Sequence, residues 1–104
     1  VRVRYGDKAL YSLAVDIEFQ PVQWAPALVS SYRRRLQSLV AAKDRDDLGR
    51  VMSLDMKPEN GHDGARSSIG LIDRSRLLLD FGVLETDQVT VVGIVEANTR
   101  EVAP

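Results

Sequence analysis

The chain has no cysteine and a single histidine, His62, among its 104 residues. Disulfides and thiolate chemistry are therefore excluded, and a tetrahedral Cys/His zinc site lacks its ligands. Aromatic residues make up only 6%, so a core must be built mainly from aliphatic side chains. No apolar run approaches the ~20 residues that span a bilayer. No charged segment followed by an apolar stretch reads as a secretory signal, so the expected location is cytoplasmic, with no membrane partner. Neither sign of charge dominates: the net charge is -1, which argues against strong non-specific nucleic-acid binding. A Gly-rich phosphate loop, a His-Glu zinc pattern and a Ser nucleophile elbow are also missing.

What is present is an ordinary globular composition, 44% hydrophobic and 28% charged. The length suits one domain, expected over residues 1–98, with a loose polar tail at 99–104. "VRVRY" alternates with the period of a half-buried strand. Asp7 is a candidate N-cap for a helix carrying Leu10, Leu13, Ala14 and Ile17. A loop from Phe19 leads to Pro26, which suits the first turn of a second helix with a stripe of Val29, Tyr32, Leu36, Leu39 and Val40. Asp44–Asp47 caps a short turn around Leu48. Residues 51–56 alternate like a strand, and 58–65, "PENGHDGA", reads as a loop. Further strands are expected at 66–72, 76–82 and 89–96. Helices gathered early and strands late predict an α+β domain. Two to three helices cover one face of a mostly antiparallel sheet, in the order β-α-α-β-β-β-β. The expected shared core is Leu10, Leu13, Tyr32, Leu36, Leu39, Leu78 and Val91.

Chemistry is sparse. His62 reads either as a solvated loop residue or as a proton donor or base near a groove. Trp24 reads as a core anchor or a base-stacking platform. Arg33, Arg34 and Arg35 read as the wet face of an amphipathic helix, or as a contact surface for RNA or an acidic partner. The acidic run at Asp44, Asp46 and Asp47 lacks an organised metal loop, so no metal is expected. Arg74 and Arg76 have period-two spacing and point to one side if both lie in extended chain, toward solvent or a concave sheet face.

Several words, "DKALYSLAVDIEFQPVQW", "SYRRRLQSLVAAKDRDDL", "SLDMK" and "SIGLIDRSRLLLDF", make the chain similar to a known family. From about Val3 to Asn98 it resembles the RelE/ParE superfamily of bacterial toxin–antitoxin toxins, in the HigB-like branch of plasmid maintenance killer proteins. The resemblance implies a RelE-like fold and an mRNA interferase: a ribosome-dependent endoribonuclease that uses neither metal nor cofactor. A base would take the proton of a ribose 2′-OH while cations stabilise the attacked phosphate. In the ParE branch the target is DNA gyrase. The implied partners are an antitoxin, of the helix-turn-helix kind, and the ribosome with its mRNA. Ser68, Ile69, Asp73, Arg76 and Leu77 match the family pattern. The expected lysine, arginine and tryptophan are replaced by Asn60, Gly70 and Ser75. Arg66 and Ser67 stand for a Gln-Tyr pair, and Glu96-Ala97-Asn98 for a closing Asp-Tyr-His. Arg76, Arg74, Arg66 and His62 are then the candidate site residues. The expectation is a toxin-like protein with most catalytic side chains replaced. The alternative is a RelE-fold module without nuclease chemistry that binds an antitoxin or a gyrase-type protein.

Overall fold

The alternating Val/Arg segment forms β1 (Arg2–Tyr5), and Asp7 turns the chain into α1 (Lys8–Val15). The computed structural model describes residues 1–59, 66–82 and 87–96. The Asp7 carboxylate accepts the Ala9 N–H at 2.6 Å, satisfying one of the donors a helix start leaves open. Leu10 and Leu13, three apart, are the buried face of α1. The helix ends at Asp16, so Ile17 falls outside the apolar stripe and is 77% exposed. Pro26 occupies the first turn of α2 (Pro26–Ala41), where its missing N–H has no helical partner to lose. Leu28, Val29, Tyr32, Leu36 and Leu39 are buried along it. Val40, expected in that stripe, is 62% exposed, because a step from 39 to 40 rotates the side chain by ~100° away from the sheet. The short α3 (Arg45–Gly49) is capped by Asp44, which accepts the Asp47 N–H at 3.0 Å, and it buries Leu48.

The strand expected at 51–56 is instead a 3₁₀ turn, Met52–Leu54, closed by the Asp55 N–H donating to the Met52 carbonyl at 3.0 Å. Asp55 then adopts left-handed φ of 51°, which ends any extended run. Only Leu54 of this segment is buried, and Met52 is 91% exposed. Four more strands follow: β2 (Lys57–Pro58), β3 (Arg66–Gly70), β4 (Arg76–Asp80) and β5 (Gln88–Val95). The sheet order is β1-β5-β4-β3-β2. β1 runs parallel to β5, and the other neighbouring pairs are antiparallel. The domain is thus α+β, with its helices on one face of a mostly antiparallel sheet.

The core lies between that face and the helices. Leu10, Leu13, Tyr32, Leu36 and Leu39 meet Ile69, Leu77, Leu79, Val89 and Val91 in one buried cluster. Leu78 is not among them. The strand period places Leu77 and Leu79 inward, and sends Arg76, Leu78 and Asp80 to the open face. The unbroken apolar run of β5 has a separate cause. A β-bulge leaves Val92 without an opposite residue between the Leu79–Val91 and Leu78–Gly93 pairs. The bulge shifts the parity, so Ile94, opposite Leu77, also packs on the core despite standing three residues after Val91. Trp24 and Phe19, from the α1–α2 loop, pack against the same cluster. Trp24 is thus a core anchor. Among the described residues no helix is long and apolar enough to cross a membrane. His62 and most of the expected 58–65 loop lie outside the described residues, as do Asn60, Ala97, Asn98 and the 99–104 tail.

Candidate anion site at the sheet corner

The β3–β4 connection is a tight corner fastened from both sides. The Leu71 N–H donates to the Ser75 carbonyl at 2.8 Å, and the Ser75 N–H returns to the Ile72 carbonyl at 3.0 Å. The Ile72 N–H donates to the buried Ser31 hydroxyl of α2 at 3.2 Å, which docks the corner on the helical layer. Asp73 and Arg74 sit at its tip with left-handed φ of 55° and 63°. The chain is therefore not extended at Arg74, and the period-two reading of Arg74 and Arg76 fails. Arg74 points out from a 3₁₀ turn, while Arg76 lies on the open face of β4.

Arg76 is held on all sides. Its Nε donates to the Ser68 hydroxyl at 2.8 Å and its Nη1 to the Asp55 carboxylate at 3.0 Å. Its Nη2 donates to the Ser68 carbonyl at 3.0 Å and also to the Asp55 carbonyl. Gly70 stands directly across the ladder from Arg76, and a Cβ there would lie 3.8 Å from Nη1. The missing side chain leaves the surface that the guanidinium crosses. The hydrogen bond from Arg76, helped by the charge of Lys57, holds the Asp55 carboxyl below its ordinary 3.8 against the opposing effect of desolvation. Lys57 lies 3.7 Å from the same carboxylate.

These residues surround a cleft of about 440 Å³ lined by Arg35, Asp55, Lys57, Arg74 and Arg76 together with Ser53, Gly70 and Ser75. Arg35 reaches it from α2, its Nε donating to the Gly70 carbonyl at 2.8 Å and its Nη2 to the Ser53 carbonyl at 3.2 Å. Four cations and one carboxylate thus share the cleft. An anion with several oxygens, such as a phosphate, fits this balance. Among the described residues no group of three or more His, Asp or Glu side chains gathers as a metal site.

The other candidate residues are placed elsewhere. Arg66 pairs with Asp80 at 3.2 Å, directly across the ladder at its far end, four residues and roughly 13 Å from the Gly70–Arg76 step. The Arg33–Arg35 run does not act as one patch. Consecutive helical residues are ~100° apart, so the three side chains diverge. Arg33 folds back onto α1, its Nε donating to the Leu13 carbonyl at 2.7 Å and its Nη2 to the Asp16 carbonyl at 3.0 Å. Arg34 is exposed, and Arg35 turns to the corner. The expected wet face is therefore Arg34 alone, with its neighbours half-buried. Asp55 and Lys57 were missed as site residues. Their signal was the Asp-Met-Lys spacing, which places two opposite charges two apart beside a turn.

A second surface lies across the molecule. Val15, Ile17 and Val40, each at least 60% exposed, rim an apolar groove of about 500 Å³ floored by Tyr5, Ala14 and Leu36. It runs beside β1, which is an edge strand with no partner on its outer side among the described residues.

Comparison with protein families gave no match, and neither did comparison with curated proteins.

Proposed function

We propose that the chain is a RelE-like, toxin-type component of a bacterial toxin–antitoxin pair that engages RNA phosphates at the β3–β4 corner and cuts them poorly. The observation that carries this reading is the composition of the corner cleft. It gathers Arg35, Lys57, Arg74 and Arg76, yet its described lining holds neither histidine nor tyrosine, and Lys57 is ion-paired with Asp55. Arginine is not a base near neutral pH. Asp55 is held below the ordinary carboxylate range and already accepts from Arg76, which weakens it further as a base. Loss of one general acid or base costs ~10²–10⁴ in rate. Charge stabilisation without proton transfer favours binding over cleavage.

A second reading is favoured by the apolar groove and the open edge of β1: a RelE-fold module that binds a partner protein, an antitoxin or a gyrase-type target. An extended segment can add to a free strand edge while its side chains fill a neighbouring groove.

The test is primer extension on an mRNA translated in a cell-free system, with wild type, Arg76→Ala, His62→Ala and the triple variant Gly70→Arg/Ala97→Tyr/Asn98→His. Weak wild-type cleavage that rises in the triple variant is expected. Robust wild-type cleavage abolished by His62→Ala overturns the reading and assigns a relocated nuclease site.

A further inference from the structure

We infer that Arg74, rather than the family-matching Arg76, is the side chain that grips a phosphodiester at this corner, and that the left-handed backbone at Asp73 and Arg74 is retained to present it. The inference rests on the anion-binding reading given above and names the contact residue of that site. Asp55, Asp73 and Arg74 are the non-glycine residues with positive φ among those described, and all three stand at this one corner. Left-handed backbone is costly for a side chain with a Cβ. Asp tolerates it through its short polar side chain, whereas Arg has no such compensation. A glycine at position 74 would make the same turn without that cost. What glycine cannot supply is a guanidinium at the tip.

The other cations are already engaged. Arg76 directs four hydrogen bonds to Ser68 and Asp55, and Arg35 directs two to backbone carbonyls. Lys57 faces the Asp55 carboxylate. Arg74 is exposed and has no hydrogen bond or ion pair among the described residues. Its planar fork therefore remains open to a bidentate contact with phosphate oxygens. The held arginines contribute fixed positive charge behind it. Arg74 and Ser75 also line a second cleft of about 370 Å³ on the other side of the corner, together with Asp73 and Glu96. On the RNA reading above, the group gripped is a phosphodiester within a strand.

The experiment measures binding of a short fluorescein-labelled oligouridylate RNA by anisotropy at low salt, alongside thermal unfolding, for wild type, Arg74→Ala, Arg74→Gly and Arg76→Ala. Arg74→Ala should weaken binding roughly tenfold or more, the weight of one charge-assisted contact, with an unchanged Tm. Arg74→Gly should weaken binding equally while melting above Arg74→Ala, because relief of the left-handed strain outweighs glycine's larger unfolded-chain entropy. Arg76→Ala should lower Tm, and outright failure of that variant to fold also supports its structural role. Wild-type affinity in Arg74→Ala overturns the inference and leaves the anion-binding reading standing. A Tm in Arg74→Gly no higher than in Arg74→Ala overturns the retention of strain. Absence of RNA binding by the wild type overturns the anion-binding reading itself, and the inference with it.

Discussion

Leu78 and Leu79 are neighbours of identical chemistry and opposite orientation, so truncating each to alanine isolates the effect of burial. Leu79 is fully buried, flanked in the sheet by Ser67 of β3 and Val91 of β5 and covered by the helices. The transfer of its three lost carbons is worth roughly 2.4 kcal/mol at about 0.8 kcal/mol per CH₂. A cavity adds to that. β4 is an internal strand, hydrogen-bonded along both sides, and its backbone cannot move inward to fill the space. Leu79→Ala should therefore cost about 3–4 kcal/mol, within the range known for buried Leu→Ala changes. Leu78 stands on the open face, across from Ser68 and Gly93, and is only half-buried. Leu78→Ala removes less apolar contact and leaves no closed cavity, so about 1 kcal/mol is expected. The assay is urea unfolding followed by the fluorescence of Trp24, the only tryptophan, with stability read from the midpoint at constant slope. Costs within about 0.5 kcal/mol of each other, or a larger cost at Leu78, would refute the assignment of the helical layer to the Leu77/Leu79 face.

Three further outcomes are expected. Tyr32 donates to the Leu10 carbonyl at 2.7 Å inside the core, tying α2 to α1, so Tyr32→Phe should cost about 1 kcal/mol. Burial, with the nearby Tyr5 and Asp7 charges, raises the Tyr32 phenol above its ordinary 10.0; its stabilising effect is then complete below pH 10 and lost as pH rises beyond it, and the Phe variant should show a shallower alkaline fall in thermal melts. Asp55 has the opposite sign. Its folded carboxyl is lowered, so its contribution is complete above the ordinary 3.8 and disappears as pH falls through the lower folded value. Asp55→Asn should be less stable than wild type near neutral pH and converge on it in acid; a constant gap across the acid range would exclude this linkage.

The elements with local signals were legible in the sequence, and those set by tertiary contact were not. Alternation disclosed β1, and the Asp7 and Pro26 starts with their apolar spacing disclosed α1 and α2. The 51–56 alternation misled because Val51 and Leu54, three apart, also suit one 3₁₀ turn, and only the left-handed Asp55 decides between them. Leu77-Leu78-Leu79 carries no internal sign of which residue faces inward; the parity is set by the ladder with β3 and β5. The same holds for β5, where a bulge changes parity inside a run of valines. At the site, residue type was informative and position was not. Arg74 and Arg76 were legible as candidates, yet Arg66 belongs to a cross-strand pair at the other end of the ladder, and Arg35 entered the corner from a helix position 35 residues away in the chain by fold alone.

On the RelE-like reading proposed above, Arg76 stands where a phosphate-handling arginine is expected but is engaged otherwise. An arginine stabilises a developing phosphate charge when its donors face the ligand, and cleavage needs in addition a group able to move the proton. Here the position across the ladder is Gly70, so nothing on β3 holds the guanidinium away from the sheet. It lies down across the glycine, and Asp55, presented by a left-handed residue after the 3₁₀ turn, captures it. Each arm then fixes the other: Arg76 lowers the proton affinity of Asp55, and Asp55 occupies the donors of Arg76. The pair is stable because neither charge is left without a partner, and that stability works against catalysis. A 2′-OH attack requires a base whose pKa lies near the working pH, and the pairing moves the one carboxylate of this cleft away from it. With Arg76 neutralised by Asp55, two arginines and a lysine remain in excess among the residues lining the cleft, a balance that attracts an anion. On the reading proposed above, binding and cutting are thus separated at this corner by Gly70 across from Arg76 and by one left-handed aspartate at position 55.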